Sequence, residues 1–173
     1  TLYHEHVSPF SFTTVERVGA AHGITRCDVE ELSPHGGPLR IYGRHAEDSS
    51  RPVGARVAEL RSRELAEGFD RVEKYLDFAE QVKETKRRIL EFLIATKRNG
   101  KSIVGYGAPG KGNTLLNYCG IREDFLDYTV DRNPYKQGKY TPGTHIPIHA
   151  PEKIRETQPD FLFILPWNLT DEI

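Results

Sequence analysis

The 173-residue sequence is short of the features that usually mark a special environment. It has only two cysteines, Cys27 and Cys119, far apart, with no CxxC pair and no signal peptide. Neither a disulfide framework nor a zinc knuckle is supported, so a reducing cytoplasm is the default expectation. It also lacks a charge excess: 24 Lys+Arg against 25 Asp+Glu leave a net charge of -1. No global field therefore favours nucleic acid or an anionic membrane as partner. Long apolar runs are missing too. The longest, around Ile89–Ile94 and Phe161–Leu165, fall far short of the roughly 18 residues that a membrane span requires. What remains is a chain that is 37% hydrophobic and 28% charged, long enough for a real core.

The chain reads as two patterns in succession. Thr13 to Gly23 places Val15, Val18 and the Ala20/Ala21 pair at helical spacing, opened by a Ser/Thr cap and closed by glycine. Ile24–Leu32 and Pro38–Arg44 flank Ser33-Pro-His-Gly-Gly37 and predict an antiparallel hairpin. A polar stretch from His45 to Arg51 follows, and Pro52 stands where a first helical turn tolerates it. Helix is expected over 55–68 and 69–98, interrupted at Gly68 and stopped at Asn99-Gly100. Beyond it, strands expected at 101–106, 125–130 and 161–165 alternate with helices at 113–119 and 151–157. That alternation predicts an α/β fold, a Rossmann-like parallel sheet with flanking helices, preceded by the helix and antiparallel hairpin. At the end, Thr170 with Asp171 and Glu172 behind it reads as the start of a helix that the chain leaves unfinished. The chain is accordingly expected to be a segment of a longer protein.

Three runs carry candidate chemistry. Gly105-Tyr-Gly107-Ala-Pro-Gly110 satisfies GxGxxG between an expected strand and helix, and Asp131 follows at the end of the next strand. Glycines let the backbone approach a phosphate, the helix N-terminus offers unpaired N–H groups, and the acid can accept ribose hydroxyls. Lys111 adds a positive charge, whereas Pro109 is unusual for a dinucleotide loop; that the glycines serve only a close turn stays open. Asp131-Arg-Asn-Pro-Tyr-Lys-Gln-Gly138 gathers a carboxylate, a guanidinium, an amide and a lysine where an α/β sheet has its ligand crevice. A polar turn around Asn133-Pro134 is the alternative. Tyr3-His4-Glu5-His6 offers a base that can work near neutral pH beside a carboxylate and a phenol. Without a third ligand nearby its HxH is a weak metal signal, and no metal is expected within these residues.

Six blocks in order resemble the S-adenosylmethionine-dependent sugar C-methyltransferases: Tyr3-His-Glu-His6, His35-Gly-Gly-Pro-Leu-Arg40, Tyr106-Gly-Ala-Pro-Gly-Lys-Gly-Asn113, Val130-Asp-Arg-Asn-Pro-Tyr-Lys-Gln-Gly138, Pro142-Gly-Thr-His-Ile-Pro147 and Leu165-Pro-Trp-Asn168. The resemblance implies a three-part protein: a zinc-binding piece, a class I methyltransferase domain, and a C-terminal Rossmann-like domain that helps hold a nucleotide-linked keto-deoxysugar. By that likeness residues 1–45 are the tail of the methyltransferase domain, 46–64 a linker with a helix, and 65–173 the C-terminal domain. The zinc piece and most of the S-adenosylmethionine site lie outside the chain, so the segment alone is expected to be inactive. The implied base is His6, ahead of His4, with Glu5 and Tyr3 lining the site. The implied substrate contacts are Gly37, Arg40, Gly105, Gly107, Lys111, Asn113, Asp131 and Asn133, and the implied partner is a nucleoside-diphosphate sugar.

Two other classes fit part of the pattern. One is a non-catalytic Rossmann module that senses a nucleotide or NAD; the other is an NAD-dependent oxidoreductase. Both would use the same glycine loop.

Overall fold

The computed structural model describes residues 8–32 and 38–173. By their internal packing the described residues form two compact units, Ser8–Gln81 and Val82–Ile173.

In the first unit, α1 (Phe12–Ala21) leads into an antiparallel hairpin of β1 (Ile24–Glu31) and β2 (Leu39–His45), and α2 (Ala55–Ala66) packs on β1. The Ser11 side chain caps α1 by accepting the Thr14 amide at 3.2 Å. A second cap comes from far along the chain: the two oxygens of Glu64 on α2 accept the Phe12 and Thr13 amides at 2.7 and 2.8 Å. This carboxylate is buried, and it answers orphan N–H groups at the positive end of α1. It thereby fixes α1 to α2 over a core of Phe12, Val29, Val57 and Leu60. Arg26 donates to the Val15 carbonyl at 2.8 Å and lies against Gly19, where a Cβ would overlap the guanidinium. The hairpin ladder slips one residue between Arg26 and Asp28, a bulge that leaves Cys27 buried and unpaired in the ladder. Pro52 precedes the first helical residue, Ala55, so it stands before α2 and not in its first turn.

The helix α3 (Val72–Arg98) begins after the break at Gly68, whose φ of +81° suits glycine, and ends at Gly100 with φ of +68°. Its second half, in the second unit, packs Ile89, Leu90 and Leu93 on the core of the sheet.

That sheet contains β3 (Ile103–Tyr106), β4 (Thr129–Val130), β5 (Ile148–His149) and β6 (Phe161–Ile164), all parallel, in the order β5-β4-β3-β6. With β3 counted first this is the 3-2-1-4 order of a doubly wound sheet. Side-chain alternation along β3 explains the layers. Ile103 points into the cluster shared with α3 and α4 (Gly110–Cys119), and Val104 into the opposite cluster with Tyr128, Val130 and Ile154 of α5 (Lys153–Thr157).

Besides the place of Pro52, the structure differs from the sequence reading in three places. The strand expected over 125–130 is confined to Thr129–Val130, although the Asp127 amide still donates to the Ile103 carbonyl. β5 was not foreseen, because a two-residue strand carries no period. α4 starts at Gly110, three residues earlier than expected. Thr170 stands at the end of the 3-10 turn Trp167–Leu169, donating its hydroxyl to the Trp167 carbonyl at 2.6 Å.

Two predictions follow from these anchors. Glu64→Ala leaves the Phe12 and Thr13 amides without their acceptor and is expected to cost about 1–3 kcal/mol, read as a lowered urea midpoint. The second concerns Asp160, whose oxygens accept Lys101 Nζ at 2.8 Å and the Ser102 amide and hydroxyl at 2.9 Å. These bonds, that to Lys101 foremost, lower its carboxyl from 3.8 to about 2. Because the folded value is the lower one, the stabilisation is complete above 3.8 and is lost as pH falls through about 2. Asp160→Asn should therefore be less stable than wild type at about pH 5, with the two converging toward about pH 2 in urea titrations.

Candidate functional site

The carboxyl ends of β3, β4 and β6 meet a single turn, Gly107-Ala-Pro109, which leads into α4. Close packing shapes this turn. Gly107 has φ of +83°, and a Cβ there would stand 2.7 Å from Cδ of Pro166, just past β6. A Cβ on Gly112 would lie 2.9 Å from that of Leu165. Gly105 is not in the turn at all: it belongs to β3, with its Cβ position 2.6 Å from the Thr129 hydroxyl, which donates to the Gly107 carbonyl at 2.8 Å. Only Gly107 and Gly110 of the expected fingerprint therefore lie at the turn.

Pro109 is the N-cap residue of α4 and supplies no side-chain cap; the first turn holds no acid. The first intrahelical bond is that from the Asn113 amide to the Pro109 carbonyl, at 3.0 Å. The amides of Gly110, Lys111 and Gly112 thus precede the helical ladder at its positive end, an arrangement suited to an anion. Lys111 reaches from this turn to the Asn168 side-chain oxygen, with its ammonium 5.2 Å from the centre of the Trp167 ring. Partial desolvation pulls its pKa below the ordinary lysine value. Asn113 Oδ1 is buried and meets no donor among the described residues.

Across the turn stands the loop after β4. Asp131 accepts the Ala108 amide at 2.8 Å, the Asn133 amide at 2.8 Å and Lys136 Nζ at 3.0 Å. Burial alone would push its carboxyl up, but these donors more than reverse that and hold it below the usual carboxylate value. Asn133 turns its own Oδ1 to the Tyr135 amide at 3.0 Å. Between turn and loop lies a cleft of about 680 Å³, floored by Gly107 and Pro109, walled by Asp131, Asn133 and Lys136, and closed opposite by Pro166 and Leu169. Arg132 stands at its rim, 4.0 Å from Glu172.

The structure brings Gly107, Asp131 and Asn133 together around this cleft, with Lys111 and Asn113 on the helix that starts at its floor. Arg40 belongs to the other unit, on β2, where it pairs with Glu30 at 3.3 Å. Tyr3, His4, Glu5, His6 and Gly37 lie outside the described residues. Sequence reasoning missed the wall formed by Pro166 and Leu169 and the Asn168 contact with Lys111; the block Leu165-Pro-Trp-Asn168 was its only signal. A groove of about 550 Å³ between β1 and α2 is a weaker candidate, because its Arg56 and Arg63 already pair with Asp28 and Glu31. Among the described residues there is no group of three or more His, Cys, Asp or Glu that could hold a metal ion, and no helix long and apolar enough to cross a membrane.

Fold and cleft define a Rossmann-type domain whose crevice opens at the carboxyl ends of a parallel sheet, next to the start of α4. The family described as the C-methyltransferase C-terminal domain matches residues 33–173, and the chain belongs to it. C-methyltransferase NovU of Streptomyces niveus is 34% identical over 173 residues, which is 100% of this chain and 41% of NovU. The chain therefore spans less than half the length of that relative.

Gly107→Ala is expected to destabilise the second unit by at least about 1–2 kcal/mol, since it adds a left-handed penalty to the contact with Pro166. Thermal or urea unfolding of the variant checks this, with Gly138→Ala as the control: there φ is +73° but nothing lies within 4 Å of the added Cβ.

Proposed function

We propose that the complete protein is an S-adenosylmethionine-dependent C-methyltransferase acting on a nucleotide-linked keto-deoxysugar, and that the cleft above α4 receives the diphosphate of that substrate. The observation that carries this reading is the uncapped, acid-free N-terminus of α4, which follows directly on Gly107 and Pro109 of the cleft's floor and carries Lys111 in its first turn. Membership in the C-methyltransferase family supports the reaction class.

In this reading residues 1–45 complete a methyltransferase domain, 46–64 connect, and 65–173 hold the sugar nucleotide. S-adenosylmethionine supplies the methyl group as a sulfonium cation. The cleft of this domain is lined by Arg132 and Lys136 together with Asp131 and Glu172, and the family resemblance implies that most of the S-adenosylmethionine site lies outside these residues. The chain's own chemistry is to bind and deprotonate. The diphosphate takes the α4 amides and Lys111, which fixes the sugar at one end. A C–H next to the ketone is acidic because the enolate spreads its charge onto oxygen, and His6 removes that proton while Glu5 orients the ring and Tyr3 lines the site. When S-adenosylmethionine is bound, its S–CH3 bond breaks as the C–C bond forms at the enolate carbon, and the neutral thioether S-adenosylhomocysteine leaves. Two free, buried thiols, Cys27 and Cys119, suit a reducing compartment such as the cytoplasm.

Steady-state kinetics of the full-length protein with S-adenosylmethionine and a dTDP-linked keto-deoxysugar test the reading. Lys111→Ala should raise KM for the sugar nucleotide about tenfold with little change in kcat. His6→Ala should lower kcat by on the order of 10² to 10⁴ at an unchanged KM. Absence of methyl transfer by the wild type to any nucleoside-diphosphate keto-sugar would reject the assignment.

A further inference from the structure

A Rossmann unit commonly ends its second strand on an acid that receives the ribose diol of a dinucleotide. In this chain the residue at that place is Asp131, and its carboxylate is already engaged from within the fold. Oδ2 accepts the Ala108 amide at 2.8 Å and Lys136 Nζ at 3.0 Å, while Oδ1 accepts the Asn133 amide at 2.8 Å. Lys136 Nζ also donates to the carbonyl of Ala108 at 3.0 Å, so one ammonium holds both the acid and the residue to which that acid is bonded. Gln137 secures the same loop by donating to the Asp131 carbonyl at 2.9 Å. The Asp131 side chain is only 13% exposed.

We propose that Lys136 is a specificity-determining residue: by locking Asp131 onto the Ala108 turn it withdraws the ribose-diol acceptor, so that the cleft selects nucleoside diphosphates over dinucleotides. This rests on the reading of the cleft as a diphosphate site. The chemistry is a matter of acceptor capacity. A carboxylate offers about four lone-pair sites, and three are filled here, two of them on the oxygen that shares Lys136. A diol needs two acceptor sites on a carboxylate free to face it, and it cannot displace an ammonium that is anchored twice. Lys136 thus acts on the ligand through Asp131 and is a positioning residue in that sense. The same clamp fixes the Ala108 peptide immediately before the helix start that receives the diphosphate. Loop and acid therefore form one preorganised piece.

The test is titration of the full-length protein with dTDP, UDP, GDP and NADH, for wild type, Lys136→Met and Lys136→Arg, each checked for folding by thermal melting. Wild type should bind its best nucleoside diphosphate at least about tenfold more tightly than NADH. In Lys136→Met, where Asp131 keeps only the Ala108 and Asn133 amides and regains an acceptor site on Oδ2, that ratio should shrink by about tenfold through tighter NADH binding, whereas Lys136→Arg should keep it. A folded Lys136→Met protein with an unchanged ratio would overturn the role of Lys136 and leave the diphosphate site standing. A wild-type preference for NADH over all three diphosphates would instead remove the reading of the cleft itself. A second arm needs no variant: the tighter-binding of UDP and GDP is compared with its 2′,3′-dideoxy analogue on wild type. Equal affinity is expected, and a loss of more than about fivefold for the analogue would show that the diol is read after all and overturn the proposal.

Discussion

The second unit is organised by a steric constraint at the end of β3: at positions 105, 107 and 112 there is no room for a side chain. Thr129, Pro166 and Leu165 occupy the three places where a Cβ would stand. This lets β4, β6 and α4 crowd onto one turn, so the sheet's carboxyl edge and the helix start form a single rigid corner. The polar contacts depend on it. The Thr129 hydroxyl reaches the Gly107 carbonyl, and Asp131 reaches the Ala108 amide, only because the turn comes this close to β4. A cleft built on such a corner presents its amides in fixed directions, which is what recognition of a diphosphate requires.

The first unit is held together on a different plan. Its apolar cluster is small, and the contacts that orient its parts are charged groups applied to backbone: Glu64 to the start of α1 and Arg26 to a carbonyl of the same helix. Each is a long-range bond to a helical backbone group that would otherwise lack a partner or be shared with water. Arg56 and Arg61, by contrast, pair with carboxylates on the surface and act mainly to trim the charge of α2. Substitutions should therefore be felt very unequally among the charged residues of this unit, according to whether they meet backbone or solvent.

Membership in the C-methyltransferase family, taken with a length less than half that of NovU, gives the cleft its context. On the proposed function the cleft holds only one end of a substrate, and it then gains from being preorganised, since it cannot rely on enclosing the ligand. The internal engagement of Asp131 fits that demand. It removes a mobile acceptor from the cleft.

Local and periodic features were readable without coordinates. α1, the hairpin, the break at Gly68, the stop at Gly100 and the strands β3 and β6 follow from caps, glycines and alternation, because those signals act over a few residues. The parallel, Rossmann-like sheet followed from the order of those elements. The short strand β5, the early start of α4 and the 3-10 turn at Trp167 were decided by tertiary packing, since two or three residues carry no period of their own. At the site, sequence placed Gly107, Lys111, Asp131 and Asn133 in neighbouring loops. It could not distinguish a glycine in a strand from one in a turn, so Gly105 was grouped with the phosphate loop. Nor could it foresee that Lys136 would hold Asp131. Lys136 and the Ala108 carbonyl that anchors it are 28 positions apart in sequence, so their meeting depends on how β3 and β4 align, and only the folded sheet sets that register.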